Sequence, residues 1–178
     1  MRARSLVLSL FAGCGRIGFD PHGGEDGGTG GEVAADVALS IDALLCPPAF
    51  STFTTGCYRV VTVGNKSWGD AEAMCAAEGI GTHLAIPSSA ADLAVLQTDV
   101  LASVTNAWIG VSDQITPGVY LTVTGQPAFT MWAPGQPTGG VQRCADLGSM
   151  NLMKDSVCSD LNDYICEYDG VAADPTAF

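Results

Sequence analysis

The sequence predicts an α+β domain with its helices early and its short strands late. Three observations carry this. Stretches opening at Ser67 and Ser89 have helix-start chemistry followed by apolar residues at helical spacing. Short β-branched or aromatic runs then alternate with Gly, Pro and Asn turns. Six cysteines from Cys46 to Cys166 suit three disulfides. With 47% hydrophobic residues in 178, the chain can build the core of one domain.

Residues 1–13 read as an export signal. Arg2 and Arg4 are basic, residues 6–12 are a short apolar core, and small residues precede Cys14. The pattern resembles a bacterial lipoprotein signal, in which Cys14 becomes the acylated first residue. An ordinary secretory signal cut nearby is the alternative. Setting Cys14 aside turns an odd count of seven cysteines into six. Export, lipid anchoring through Cys14 and an oxidising compartment therefore agree. Gly15 lacks the Asp associated with inner-membrane retention, so the outer membrane is the expected location, with secretion as the alternative.

Residues 14–45 are a tether and lead-in. The glycine-rich run 23–31 offers nothing to bury and holds a domain away from a surface. Residues 32–45 fit a helix or a strand equally.

The compact part spans 46–169, with 170–178 as a tail. Cys46 and Cys57 close a short loop, and residues 59–63 are strand-like. Ser67 is an N-cap with Asp70 in the first turn. Ala71, Met74 and Cys75 share one helix face, and Gly79 is the stop signal. Residues 83–86 form a short strand. Ser89 caps a second helix whose stripe is Leu93, Leu96 and Val100. Residues 108–111 are a buried strand and 118–124 alternate as another. Residues 129–132 follow a turn, 145–147 extend from Cys144, a polar loop intervenes, and 164–167 close the domain. Trp108, Trp132 and Tyr120 read as packing residues.

A net charge of −12 argues against nucleic acid and anionic lipid, leaving Cys14 as the route to a membrane. Acidity fits solubility and also fits cation binding. Catalysis lacks its parts. His22 lies in the tether, and His83 is a surface or core-edge histidine with no Ser or Cys motif beside it. The glycine run has no flanking strand to make a phosphate loop. A zinc site lacks the Cys-x-x-Cys spacing. Asp160, Asn162 and Asp163 read as a solvated turn.

The order Cys57-Tyr58, Cys75, Leu84-Ala85-Ile86, Trp108-Ile109-Gly110-Val111, Trp132, Gly135-Gln136-Pro137, Cys144-x-x-Leu147, Cys158 and Ile165-Cys166-Glu167 resembles the C-type lectin-like domain. The match covers essentially all of 46–168. The resemblance implies two helices, short antiparallel strands and a long loop region. It also implies disulfides Cys46–Cys57, Cys75–Cys166 and Cys144–Cys158. The second would tie the first helix to the last strand.

Sugar-binding members hold Ca2+ through oxygen ligands whose side-chain positions this resemblance places at Gln136, Thr138, Gln142, Lys154 and Asp155, with Pro137 of the same ligand-binding motif cis. Ca2+ takes 6–8 oxygens, several of them carboxylate. Here Thr138 and Gln142 are neutral, Lys154 is a cation, and Asp155 is the one carboxylate left. The expectation is therefore no cofactor, with the sugar-site Ca2+ absent or very weak. Any residual ion would rest on Gln136 and Asp155. Lys154 is expected to occupy the cation space or to pair with Asp155 or a nearby Gln. The implied function is an extracytoplasmic recognition module that takes a protein or surface ligand through its long loop. A carbohydrate-binding lectin, with or without calcium, is the alternative.

Overall fold

The computed structural model describes residues 46–178 apart from 103, 105 and 149–151. The leader, the tether and Cys14 lie outside the described residues. Strand β8 (Asn162–Tyr168) organises the rest. Its middle is buried on both faces, and it pairs with three strands. Strand β2 (Gly56–Lys66) and the short β3 (Thr82–Leu84) run antiparallel to it, and β4 (Asn106–Ser112) runs parallel. The sheet continues in the order β1-β2-β8-β4-β6-β7, where β1 is Ser51–Phe53, β6 is Gln142–Gly148 and β7 is Met153–Val157. A short β5 (Leu121–Thr122) lies on β4.

Helix α1 (Trp68–Ala76) starts where Ser67 accepts the Asp70 N–H at 3.3 Å. Trp68, Ala71, Glu72 and Cys75 form its buried face, at the spacing of adjacent helical turns. Met74, expected on that face, is exposed; it points about half a turn away from Glu72. The helix ends at Ala76 with Ala77 as its cap, two residues before Gly79, whose φ of 150° turns the chain. Helix α2 (Ala90–Val95) is capped by Ser89 and continues as a π-helical turn over Leu96–Val100. Leu93, Leu96 and Val100 are buried as expected.

Two buried clusters result. One centres on Leu96, Ile109, Val111, Leu147, Met153 and Ile165. The other holds Trp68, Trp108, Leu84, Tyr164 and the Cys75–Cys166 bridge. Both tryptophans satisfy their indole N–H inside the domain: Trp68 donates to the Ile109 carbonyl and Trp108 to the Lys66 carbonyl, each at 2.8 Å. Gly110 is required between them, because a Cβ there would sit 2.5 Å from the Leu84 oxygen. The three implied disulfides are all present.

Three further expectations are corrected. Of residues 118–124 only Leu121 and Thr122 pair as a strand; Gly118 adopts φ 82° and the flanking residues make turns. The segment read as a polar loop contains β7, antiparallel to β6. Residues 170–178, read as a tail, fold back onto the domain. The Asp174 N–H donates to the Val123 carbonyl at 2.7 Å, and the Phe178 ring meets Trp68 edge-on at 5.3 Å.

Candidate functional site

Strand β7 decides what the family-implied positions can do. Successive side chains on a strand face opposite ways, so Lys154 and Asp155 cannot share a site. Lys154 stands opposite Asp146 on β6, and its Nζ lies 3.5 Å from Asp146 Oδ2. Ser156, on the same face, donates its hydroxyl to that oxygen at 2.7 Å. Asp146 is fully buried, and burial pushes its carboxyl up to about 6 despite these two partners. The expectation that Lys154 fills a cation space beside Asp155 is therefore corrected. Its ammonium instead compensates a buried carboxylate on the other face.

Asp155 faces the segment 131–139, which Met153 fastens to the strand. Met153 donates its N–H to the Met131 carbonyl at 2.9 Å and accepts from Ala133 at 2.8 Å. The Gln136–Pro137 peptide is cis, as implied. Beyond it, Thr138 donates its N–H (2.8 Å) and its hydroxyl (3.1 Å) to Asp155 Oδ1, while Gly139 donates its N–H to Oδ2 at 2.5 Å. The Asp155 N–H in turn reaches Gln136 Oε1 at 3.4 Å. Gln136, Thr138 and Asp155 are thus brought together, and they bond to one another. Gln142 opens β6, opposite Val157, and Lys154 turns away.

This set does not fit Ca2+. The ion needs six to eight oxygens free to converge. One carboxylate is present, and both its oxygens already accept from the loop. Elsewhere, Asp160 closes a turn onto Val157, while Asn162 and Asp163 enter the ladder of β8. No cluster of three or more His, Cys, Asp or Glu suited to a metal occurs among the described residues.

His83 is deeper than expected. It is wholly buried, with Nδ1 2.8 Å from the Leu84 carbonyl and Nε2 3.2 Å from Asp169 Oδ1. Burial lowers its affinity for a proton, but Asp169 and the carbonyl outweigh that and raise its pKa overall.

A groove of about 400 Å3 opens beside the Thr138 loop. Its walls are residues 113–120 on one side and 128–143 on the other, and Asp113, Tyr120, Trp132, Thr138 and Arg143 line it. Trp132 and Tyr120 pack at 4.7 Å with rings tilted by 58°, and both stay partly exposed. Burial, then the Asp113 charge, pushes the Tyr120 hydroxyl up to about 12. Arg143 and Asp113 are joined twice. The Asp113 N–H donates to the Arg143 carbonyl at 3.0 Å, and Arg143 Nη1 donates to the Asp113 carbonyl at 3.2 Å. The sequence reading missed Arg143; both aromatics pack against the core as read, and each also lines the groove. The signal available was a lone cation in the acid-free stretch 128–143, next to Cys144.

The fold and this loop define a binding domain built on a cross-braced sheet with a long, non-regular loop. Comparison with known families identifies it: the Lectin C-type domain model matches residues 64–168, and the chain belongs to that family. It is 33% identical over 143 residues to a C-type lectin, a lectoxin, of Thrasops jacksonii, covering 74% of this chain and 90% of that protein. It is 34% identical over 119 residues to a tetranectin-like protein of Carcharhinus perezii, covering 63% of this chain and 70% of the other. Among solved structures, the mouse scavenger receptor C-type lectin carbohydrate-recognition domain superposes with a TM-score of 0.61 at 25% identity, covering 70% of this chain and 99% of that one. The Ca2+-free form of a Ca2+-dependent type II antifreeze protein gives 0.62 at 25%, covering 70% and 100%.

Proposed function

We propose that this domain is a calcium-free recognition module that takes a protein or surface ligand in the groove beside the Thr138 loop. One observation carries the reading: the only carboxylate at the family's sugar-site positions, Asp155, already accepts three hydrogen bonds from Thr138 and Gly139. The loop is therefore held in place by its own donors and needs no ion to shape it. The groove supplies the rest of a binding surface, with two partly exposed aromatics and a guanidinium. Exposed Val119, Met131 and Val141 are chain neighbours of lining residues, as suits a protein or another apolar surface.

The module binds rather than catalyses. His83 spends both ring nitrogens inside the core, and the six cysteines of the domain are bonded in pairs. Export is supported by the leader pattern and by three disulfides, which persist in oxidising compartments. The leader supports a lipid anchor on Cys14 at a bacterial outer membrane.

A second reading, a carbohydrate ligand, is favoured by the aromatic pair flanked by hydroxyls and by a relative described as a carbohydrate-recognition domain. Both readings are tested by presenting the protein to a glycan panel and to envelope surface proteins, with Ca2+ and with chelator. Binding unchanged by chelator and weakened by Trp132→Ala is expected. Binding that the chelator abolishes would contradict the proposal.

A further inference from the structure

We infer that Arg143 is the anchor of the groove and that it takes a carboxylate from an acidic, apolar segment of a partner protein. This deepens the proposed function and rests on the groove being the recognition surface.

The chain has 19 acids to 7 lysines and arginines, so a cation that lines a groove should find a carboxylate. Arg59 pairs with Glu78, His83 with Asp169 and Lys154 with Asp146. Arg143 forms no ion pair among the described residues. Its side-chain bond runs from Nη1 to a neutral carbonyl, that of Asp113. Asp113 itself lines the groove, but its carboxylate is turned inward: Oδ2 accepts the Gly118 N–H at 2.6 Å, and Oδ1 is buried without a partner. Asp155, the other nearby acid, is taken up by Thr138 and Gly139. The guanidinium is therefore positioned by one bond and leaves the rest of its planar donor fork free. That fork matches a carboxylate.

The surroundings say what the carboxylate is attached to. Tyr120 and Trp132, packed at a tilt, provide aromatic surface in the same groove as the guanidinium, and Pro137 adds to the lining. Val119, Met131 and Val141, each next in the chain to a lining residue, are exposed. Aromatic and prolyl surface next to a guanidinium suits an acid carried beside apolar side chains. Long-range repulsion from the acidic protein slows the approach of such a segment, and salt screens that repulsion without removing the local contact.

The test uses the whole chain with its disulfides intact and three probes: N-acetylphenylalanine, its neutral amide, and methyl glucuronide. The readout is the indole N–H resonance of Trp132, assigned with Trp132→Phe. The Trp68 and Trp108 indoles are bonded within the core and report folding. N-acetylphenylalanine should shift the Trp132 signal, with binding at least tenfold weaker in Arg143→Gln and partly retained in Arg143→Lys. The amide should bind at least tenfold more weakly than the acid. The inference is overturned if acid and amide bind alike, or if Arg143→Gln, folded by its core indoles, binds the acid unchanged. In that case the groove remains the recognition surface without an anionic anchor. Stronger binding of methyl glucuronide than of N-acetylphenylalanine would overturn the protein source in favour of a glycan. If no probe moves Trp132, both the inference and the groove reading fail.

Discussion

Thr138 donates twice to one oxygen of Asp155, through its N–H at 2.8 Å and its hydroxyl at 3.1 Å. Both donors belong to the loop itself. The contact ties the residue after the cis Gln136–Pro137 peptide to β7, and Gly139 completes the bracket on the other carboxylate oxygen.

If Asp155 organises the loop in this way, its removal should cost more than a surface acid would. Asp155→Ala leaves two N–H groups and a hydroxyl without their acceptor. Each such loss costs on the order of 1–3 kcal/mol where water cannot substitute. Because the loop is only part-buried, a loss of about 2–4 kcal/mol in total is expected in denaturant unfolding. Asp155→Asn should recover part of it.

Lys154 makes a pH-dependent prediction. Lys154→Met removes the cation beside buried Asp146. At pH 7 the protein should lose roughly 1–3 kcal/mol, less than a fully buried pair because Lys154 is partly exposed. Asp146 titrates near 6 in the native domain, and without the ammonium it should titrate higher still. Below pH 5 it is protonated in either protein, so the difference in melting temperature should close. A difference that persists at pH 4.5 would assign Lys154 a packing role instead.

The disulfides should rank by loop length. Cys75–Cys166 spans 91 residues and Cys46–Cys57 spans 11. The chain-entropy model gives about 4–5 kcal/mol for the first and about 3 kcal/mol for the second. Paired Ala variants at Cys75 and Cys166 should therefore be the more damaging, as read by thermal unfolding.

Stability should fall between pH 5 and pH 7.5. Burial raises Glu167 from 4.5 to about 7 and Asp146 from 3.8 to about 6. A group whose native pKa is raised holds its proton better when folded. Its contribution is full below the unfolded pKa and disappears as pH rises through the native one. Each contributes at most about 1.4 kcal/mol per pH unit within its window. His83, also raised, acts in the same direction. Asp169 is lowered, since the bonds from His83 and Val171 outweigh its burial, and it acts oppositely as pH falls through the carboxylate range. Melting curves should peak near pH 5, and Glu167→Gln should flatten the descent toward pH 7.5.

Much of the scaffold is legible in the chain because it is encoded locally. Ser67 and Ser89 are caps whose acceptor role needs only a helix to follow. The Leu93, Leu96 and Val100 stripe also survives a switch to π-helical bonding, since burial depends on face more than on hydrogen-bond register. Strand β7 is not legible. Met-Lys-Asp-Ser-Val carries too many polar groups for a buried strand until Asp146 on β6 and Thr138 on the loop are known to satisfy them. The direction of Lys154 is hidden for the same reason, because strand parity sets it and the strand itself is unseen. The Phe178–Trp68 contact joins residues far apart in sequence, and the Arg143 groove joins two segments of the long loop. Neither leaves a periodic trace.

The most direct test is thermal unfolding of the whole chain, disulfides intact, in millimolar Ca2+ and then in chelator. An ion bound only to the native state at a hundredfold excess over Kd adds about 2.7 kcal/mol of stability. The Asp155–Thr138 bracket predicts coincident curves. A clear rise in melting temperature with Ca2+, lost in Asp155→Asn, would contradict it and restore the family's ion to this loop.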